Sequence, residues 1–206
     1  MQASRPPLQD VDLVKTERRV RLAREDDIPA LEELIALSAR GLRAPYYSEE
    51  RVEAALGSVF GVDRQLIRDK TYFVVEHRAS GGTETFGAAA GGKTIGCGGW
   101  SKRKTLFGSD HQTNRDDAEL NPASDAARIR AFFVHPAWAR RGIGRAILEE
   151  CERAIRAATF KSIELAATLP GVPFYGACGY TASERLVVSL PNKLNLPIVR
   201  MTKDLR

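Results

Sequence analysis

The apolar residues of this 206-residue chain are spaced as in an α/β protein with a mixed, mostly antiparallel central sheet of about seven strands, flanked by helices on both faces. Three observations lead there. Seven short segments are rich in alternating, β-branched or aromatic residues, and the longer segments between them repeat apolar residues at helical spacing. The segments run strand, two helices, three strands, helix, strand, helix, two strands. With 43% hydrophobic and 28% charged residues the chain has globular composition, and its length suits one ordinary domain over 19–206 behind a loose leader over 1–18.

The leader is polar and contains Pro6 and Pro7. From Arg19 to Ala23 the alternation predicts a half-buried strand, after which Asp26 or Asp27 can cap a helix whose inner face is Ile28, Leu31, Leu34, Ile35 and Ser38. Gly41 ends it. Ala44 to Tyr47 reads as a loop, and Ser48 caps a second helical stretch that runs to about Arg68 with an interruption near Gly57 or Gly61. Thr71 to Glu76 predicts a strand, and Ser80 to Gly92 a Gly-rich connection. Lys93 to Lys104 predicts another strand, in which Gly96, Gly98 and Gly99 point to a bulge or a close backbone approach. The polar stretch 105–127 has few apolar anchors, which leaves it functional or disordered.

Arg128 to Val134 predicts the fourth strand, stopped by His135-Pro136. The helix that follows carries Ile147, Leu148, Cys151, Ala154, Ile155 and Ala158 on one face. Ser162 to Ala167 is strand-like, Val172 to Cys178 a short helix capped by Gly179, and Ala182 to Leu190 and Leu196 to Lys203 two strands joined through Pro191-Asn192-Lys193.

Lys and Arg number 31 against 26 Asp and Glu, a net charge of +5 that favours an anionic ligand. The charges are interspersed and no basic block with interleaved aromatics stands out, so the expected partners do not include nucleic acid. No apolar run spans a bilayer and the N-terminus lacks a secretory h-region, so the expectation is a cytoplasmic protein without membrane contact. Cys97, Cys151 and Cys178 lack the paired spacing of a zinc site and read as reduced thiols; no metal is expected.

The residues richest in chemistry are Arg140-Arg141-Gly142-Ile143-Gly144-Arg145, between a strand and an amphipathic helix. A helix N-terminus offers unpaired N–H groups and partial positive charge, glycines admit a close anion, and three arginines add charge. A G-x-G turn alone serves equally well to shape a tight connection between strand and helix with solvated arginines. Position 147 is Ile and no Lys-Ser/Thr pair follows, so neither the dinucleotide fingerprint nor the P-loop is met.

Over about 20–205 the chain resembles the GNAT acetyltransferases. The family turn Q/R-x-x-G-x-G/A after V-x-P reads here as Val134-His135-Pro136 and then Ala139 to Gly144, with Ala139 in the place usually held by Gln or Arg. Downstream, Pro173-Phe174-Tyr175-Gly176-Ala177-Cys178-Gly179-Tyr180 resembles the family's F-Y-x-x-x-G-F/Y segment, preceded by Thr168 where Asn is common. The resemblance implies an acyltransferase that moves the acetyl group of acetyl-CoA to a small-molecule or peptide amine by direct attack. Residues 132–134 (Phe132, Phe133, Val134) and 140–145 (Arg140 to Arg145), with Thr168, would contact the cofactor. Val134 N–H would polarise the thioester carbonyl and Tyr175 would be the catalytic acid. In this fold the acceptor pocket lies between the early helices and later strands, so Tyr46, Tyr47, Trp100 and the 105–127 loop would line it. Phe132, Phe133 and Tyr175 can equally be core residues.

No general base stands out. Glu76, Glu119, Asp125, His135 and a water chain are the options. A binding module that senses coenzyme A without turnover fits the same motifs, and a homodimer is compatible with the sequence.

Overall fold

A computed structural model describes residues 17–41, 46–78, 92–112 and 115–205. The leader over 1–16, Ala44-Pro45 of the expected loop, positions 80–91 of the Gly-rich connection and positions 113–114 of the polar stretch lie outside the described residues.

One seven-stranded sheet runs through the molecule in the order β1-β2-β3-β4-β5-β7-β6. Its strands are β1 (Glu17–Leu22), β2 (Tyr72–Arg78), β3 (Lys93–Ser101), β4 (Ala127–Val134), β5 (Ser162–Thr168), β6 (Thr181–Ser189) and β7 (Asn195–Asp204). β1 begins two residues before the expected start and pairs with β2 from Glu17 onward, which draws Arg18 out of the presumed leader. All neighbours are antiparallel except β4 and β5, which α4 (Ile143–Ala157) joins as a crossover.

Helices cover both faces, each on its own core. On one side α4 sets Ile147, Leu148, Cys151 and Ile155 against Phe73, Val75, Ile129 and Ile163. On the other, α1 (Ile28–Gly41) and α2 (Glu49–Ala55) set Leu31, Leu34, Ile35 and Val52 against Tyr72, Val74 and Ile198. The alternation Tyr72, Phe73, Val74, Val75 thus feeds two cores, as a strand's period of two requires.

Three local readings gain detail, and the first of them changes. Asp27 does not cap α1; a 3-10 turn over Glu25–Asp27 precedes it, and the Asp27 carboxylate accepts Arg24 N–H and pairs with Arg21. The interruption expected near Gly57 or Gly61 separates two helices, α2 and α3 (Arg64–Arg68), because Gly57 turns left-handed at φ +87 and Asp63 starts a new cap on Gln65 N–H. The 105–127 stretch is held by polar contacts: Ser109 Oγ donates to Ser58 O at 3.0 Å and to Gly57 O, and Asp110 accepts Arg64 N–H.

That loop, the cap of α3 and the sheet meet around the Asp63 carboxylate. Arg130 Nη1 of β4 lies 2.8 Å from Asp63 Oδ2, outside the alignment of a directed hydrogen bond, with side chains 2% and 0% exposed. Arg130 Nη2 donates to Gly108 O at 2.7 Å and Arg115 Nη2 to Asp63 Oδ1 at 3.2 Å. Removing one partner of a buried pair leaves a charge without compensation, which costs about 3–5 kcal/mol. Asp63→Ala should lose that much in urea denaturation; a loss below about 1 kcal/mol, the scale of an exposed pair, would mean that the loop is held by its other contacts.

Candidate functional site

β4 and β5 pair at only three positions, Ala127 with Ile163, Arg128 with Glu164 and Ile129 with Leu165. Each then follows its outer neighbour, β3 as far as Val134 and β7 as far as Thr168, and a gap opens between them. The parting coincides with a bulge: Arg130 pairs with Gly99 and Phe133 with Cys97, leaving Ala131 and Phe132 opposite Gly98. Ala131 takes φ +54 there. A Cβ on Gly98 would stand 2.5 Å from the Phe132 ring, so the close approach expected of these glycines is real.

The gap is part of a cavity of about 850 Å³. At one end it is bordered by the end of β4, the turn into α4, Thr168 and α5 (Val172–Ala177); at the other by α1, Tyr46, Tyr47 and the 106–108 segment.

At the turn, His135 Nδ1 accepts Ala137 N–H, Arg140 and Gly142 both take left-handed φ (+63 and +82), and α4 starts at Ile143. The first helical bond runs from Ala146 N–H to Gly142 O (3.0 Å), and no side chain caps the helix. The N–H groups of Ile143, Gly144 and Arg145 therefore point out of the helix without partners within it, where the helix dipole adds positive charge. Arg140 and Arg145 border this end of the cavity. Arg141 does not: its guanidinium lies 5.1 Å from the Trp138 ring centre, which Arg18 shares at 5.8 Å, and Arg18 Nη1 donates to Arg141 O.

Tyr175 lies at the cavity wall, its ring set edge-on against Phe132, Phe174 and Tyr180. Among the described residues its hydroxyl has no hydrogen-bond partner. Burial, and secondarily Cys151 and Cys178, raises its pKa, so it stays protonated at neutral pH. Phe132 and Phe133 divide, Phe132 toward Tyr175 and Phe133 toward Phe60. Tyr47 is buried, donating to Pro197 O at 2.7 Å and accepting Leu169 N–H at 2.8 Å, whereas Tyr46 is 43% exposed at the rim. Trp100, expected with them, does not border the cavity. It sits three residues beyond Cys97 on β3, which turns it to the α4 face, against Phe160.

Sequence reasoning treated Ser38 as an inner-face residue of α1. Its Oγ accepts Val134 N–H at 3.2 Å, so the N–H expected to polarise a carbonyl is already engaged. A hydroxyl at an otherwise apolar helical position was the available signal. Arg18 was missed because its strand partner lies 59 positions away, at His77. None of the four base options borders the cavity. Glu76 is paired with Arg21 at 2.6 Å and Glu119 with Lys102 at 2.7 Å, while Asp125 accepts Asn121 N–H and His135 caps its own turn. Among the described residues no cluster of His, Cys, Asp and Glu could hold a metal, and no helix is long and apolar enough to cross a membrane.

Residues 68–182 match the acetyltransferase (GNAT) domain family. Among solved structures, a GCN5-related N-acetyltransferase from Rhodopseudomonas palustris aligns at TM-score 0.60 and 19% identity, over 91% of this chain and 95% of that one. A PaiA N-acetyltransferase from Thermoplasma acidophilum in complex with coenzyme A aligns at 0.55 and 15%, over 91% and 99%. The ribosomal-protein-S18-alanine N-acetyltransferase of Escherichia coli aligns at 0.51 and 13%, over 92% and 94%. At these identities the likeness is one of fold. No curated protein sequence matches the chain.

The turn's backbone can be tested with one replacement at two glycines. Gly142→Ala forces a side chain into φ +82 and should destabilise by about 1–2 kcal/mol although a Cβ there meets no atom within 4 Å. Gly176→Ala, at an equally open but right-handed position in α5, should stabilise by about 0.5–1 kcal/mol. Equal signs in chemical denaturation would contradict the strained turn.

Proposed function

Since the chain belongs to the acetyltransferase (GNAT) family, we propose that it transfers the acetyl group of acetyl-CoA to a primary amine by direct attack. The observation that carries this reading is the conjunction of an uncapped helix N-terminus with an unpaired strand edge along one cavity. The coenzyme A complex of the Thermoplasma acidophilum relative supports it.

The residues present fit that cofactor. The N–H groups of Ile143, Gly144 and Arg145, with Arg140 and Arg145, would take the pyrophosphate, since they are unpaired donors beside two cations. The β4 edge from Arg130 to Val134, which has no β5 partner, offers main-chain groups to the amides of the pantetheine arm. Thr168 borders the opposite side. At the thioester, the carbonyl oxygen would displace Ser38 Oγ as the acceptor of Val134 N–H. The amine nitrogen would bond to the carbonyl carbon while the C–S bond breaks with its electron pair going to sulfur; the Tyr175 hydroxyl would give the sulfur its proton, and the proton shed by nitrogen would restore that hydroxyl, directly or through water.

Charge-assisted hydrogen bonds are worth about 1.5–3 kcal/mol, so Arg140→Ala or Arg145→Ala alone should weaken coenzyme A binding by roughly ten- to a hundredfold in titration calorimetry. Unchanged affinity would place the phosphates elsewhere. Tyr175→Phe keeps the ring contacts, so affinity and Tm should hold while kcat falls about 10²-fold, the low end for general acid catalysis because a thiolate leaves readily. Full kcat with chemistry rate-limiting would reduce Tyr175 to a packing residue.

A further inference from the structure

The acceptor half of the cavity is walled by Val52, Val59, Phe60, Leu106, Phe107 and Ile198, all apolar and contributed by α2, two loops and β7. Among the described lining residues there is no Asp, Glu or His. The polar groups that do border it are largely spent. Tyr47 is engaged at Pro197 O and Leu169 N–H, Ser38 at Val134 N–H, and Arg130 at Asp63 and Gly108 O. Tyr46 stands at the rim and Tyr175 at the cofactor side.

Among the described residues the charged ones that border the cavity are Arg130 from β4 and Arg140 and Arg145 from the turn, all cations. An ammonium group entering the acceptor half would lose its water and find no carboxylate free to pair with it, since Asp63 is held by Arg130 and Arg115, and that favours its neutral form. An acidic acceptor fares no better in the acceptor half, because the Arg130 guanidinium is already held by Asp63. An apolar, uncharged body gains from the wall, by roughly ten- to a hundredfold in affinity for one buried ring.

We infer that the acceptor is an apolar amine that enters as the free base, an aromatic amine being its simplest form, and that no carboxylate or imidazole among the described residues deprotonates it. The inference rests on the acetyltransferase reading. The stoichiometry closes without an external base: a neutral amine and the acetyl thioester give the amide and the free thiol. The proton shed by nitrogen replaces the one Tyr175 delivers to sulfur, directly or through water.

The test measures thiol release from acetyl-CoA by the full chain with p-toluidine, benzylamine, lysine and glutamate, from about pH 6 to 9. For p-toluidine, already neutral in this range, kcat/KM should be flat and at least about tenfold above lysine and glutamate at pH 7. For benzylamine it should rise about tenfold per pH unit, following the amine's own free-base fraction. An acidic limb in the p-toluidine profile would reveal a base on the protein, and a preference for lysine or glutamate would reveal a charged acceptor; either overturns the inference. Calorimetry with acetyl-CoA separates the two levels. Binding with the wrong acceptor preference leaves the acetyltransferase reading standing, whereas no binding and no thiol release removes both.

Discussion

Past Ile129, the backbone groups of β4 that face β5 have no strand to pair with, and a buried amide or carbonyl without a partner costs about 1–3 kcal/mol. A sheet normally avoids such a gap. Here the outer neighbours enforce it, because β3 holds β4 through the bulge at Ala131 and β7 holds β5 to its last residue. Ser38 reaches across from α1 to satisfy one of the exposed N–H groups. The remainder face a cavity, so the unspent hydrogen-bonding capacity of the sheet is gathered in one place, next to the helix terminus with its own unpaired N–H groups.

Rigidity around this opening comes from charges buried on the floor of the domain. Burial lowers the pKa of the Arg130 guanidinium, and Asp63 opposes that shift. The same carboxylate starts α3 by accepting Gln65 N–H and receives Arg115 from the long loop. Three segments far apart in sequence therefore share one anion. The loop that carries Phe107 to the cavity wall is fixed by this hub rather than by a core of its own, which explains how a polar stretch with few apolar anchors stays ordered.

The strands and the amphipathic face of α4 were legible because periodicity is local: Ile147, Leu148, Cys151 and Ile155 are buried as their spacing requires. The turn at Gly142 was legible for the same reason, since the positive charge and the glycines lie within one short run. What escaped was set by pairing partners. The face chosen by Trp100 depends on the register of a glycine-rich strand. The departure of β4 from β5 has no sequence signature at all, since it is the sum of two registers defined by other strands.

The chain's two tryptophans occupy opposite settings. Trp100 is sealed in the α4 core against Phe160, while Trp138 borders the cavity with the guanidiniums of Arg18 and Arg141 over its ring and His77 tilted against it at 4.4 Å. The intrinsic fluorescence is thereby divided into a silent interior component and one whose emission depends on cations beside the phosphate-sized end of the cavity. An anion drawing Arg141 off that ring would be visible optically, without a label, from a side chain that takes no part in the chemistry.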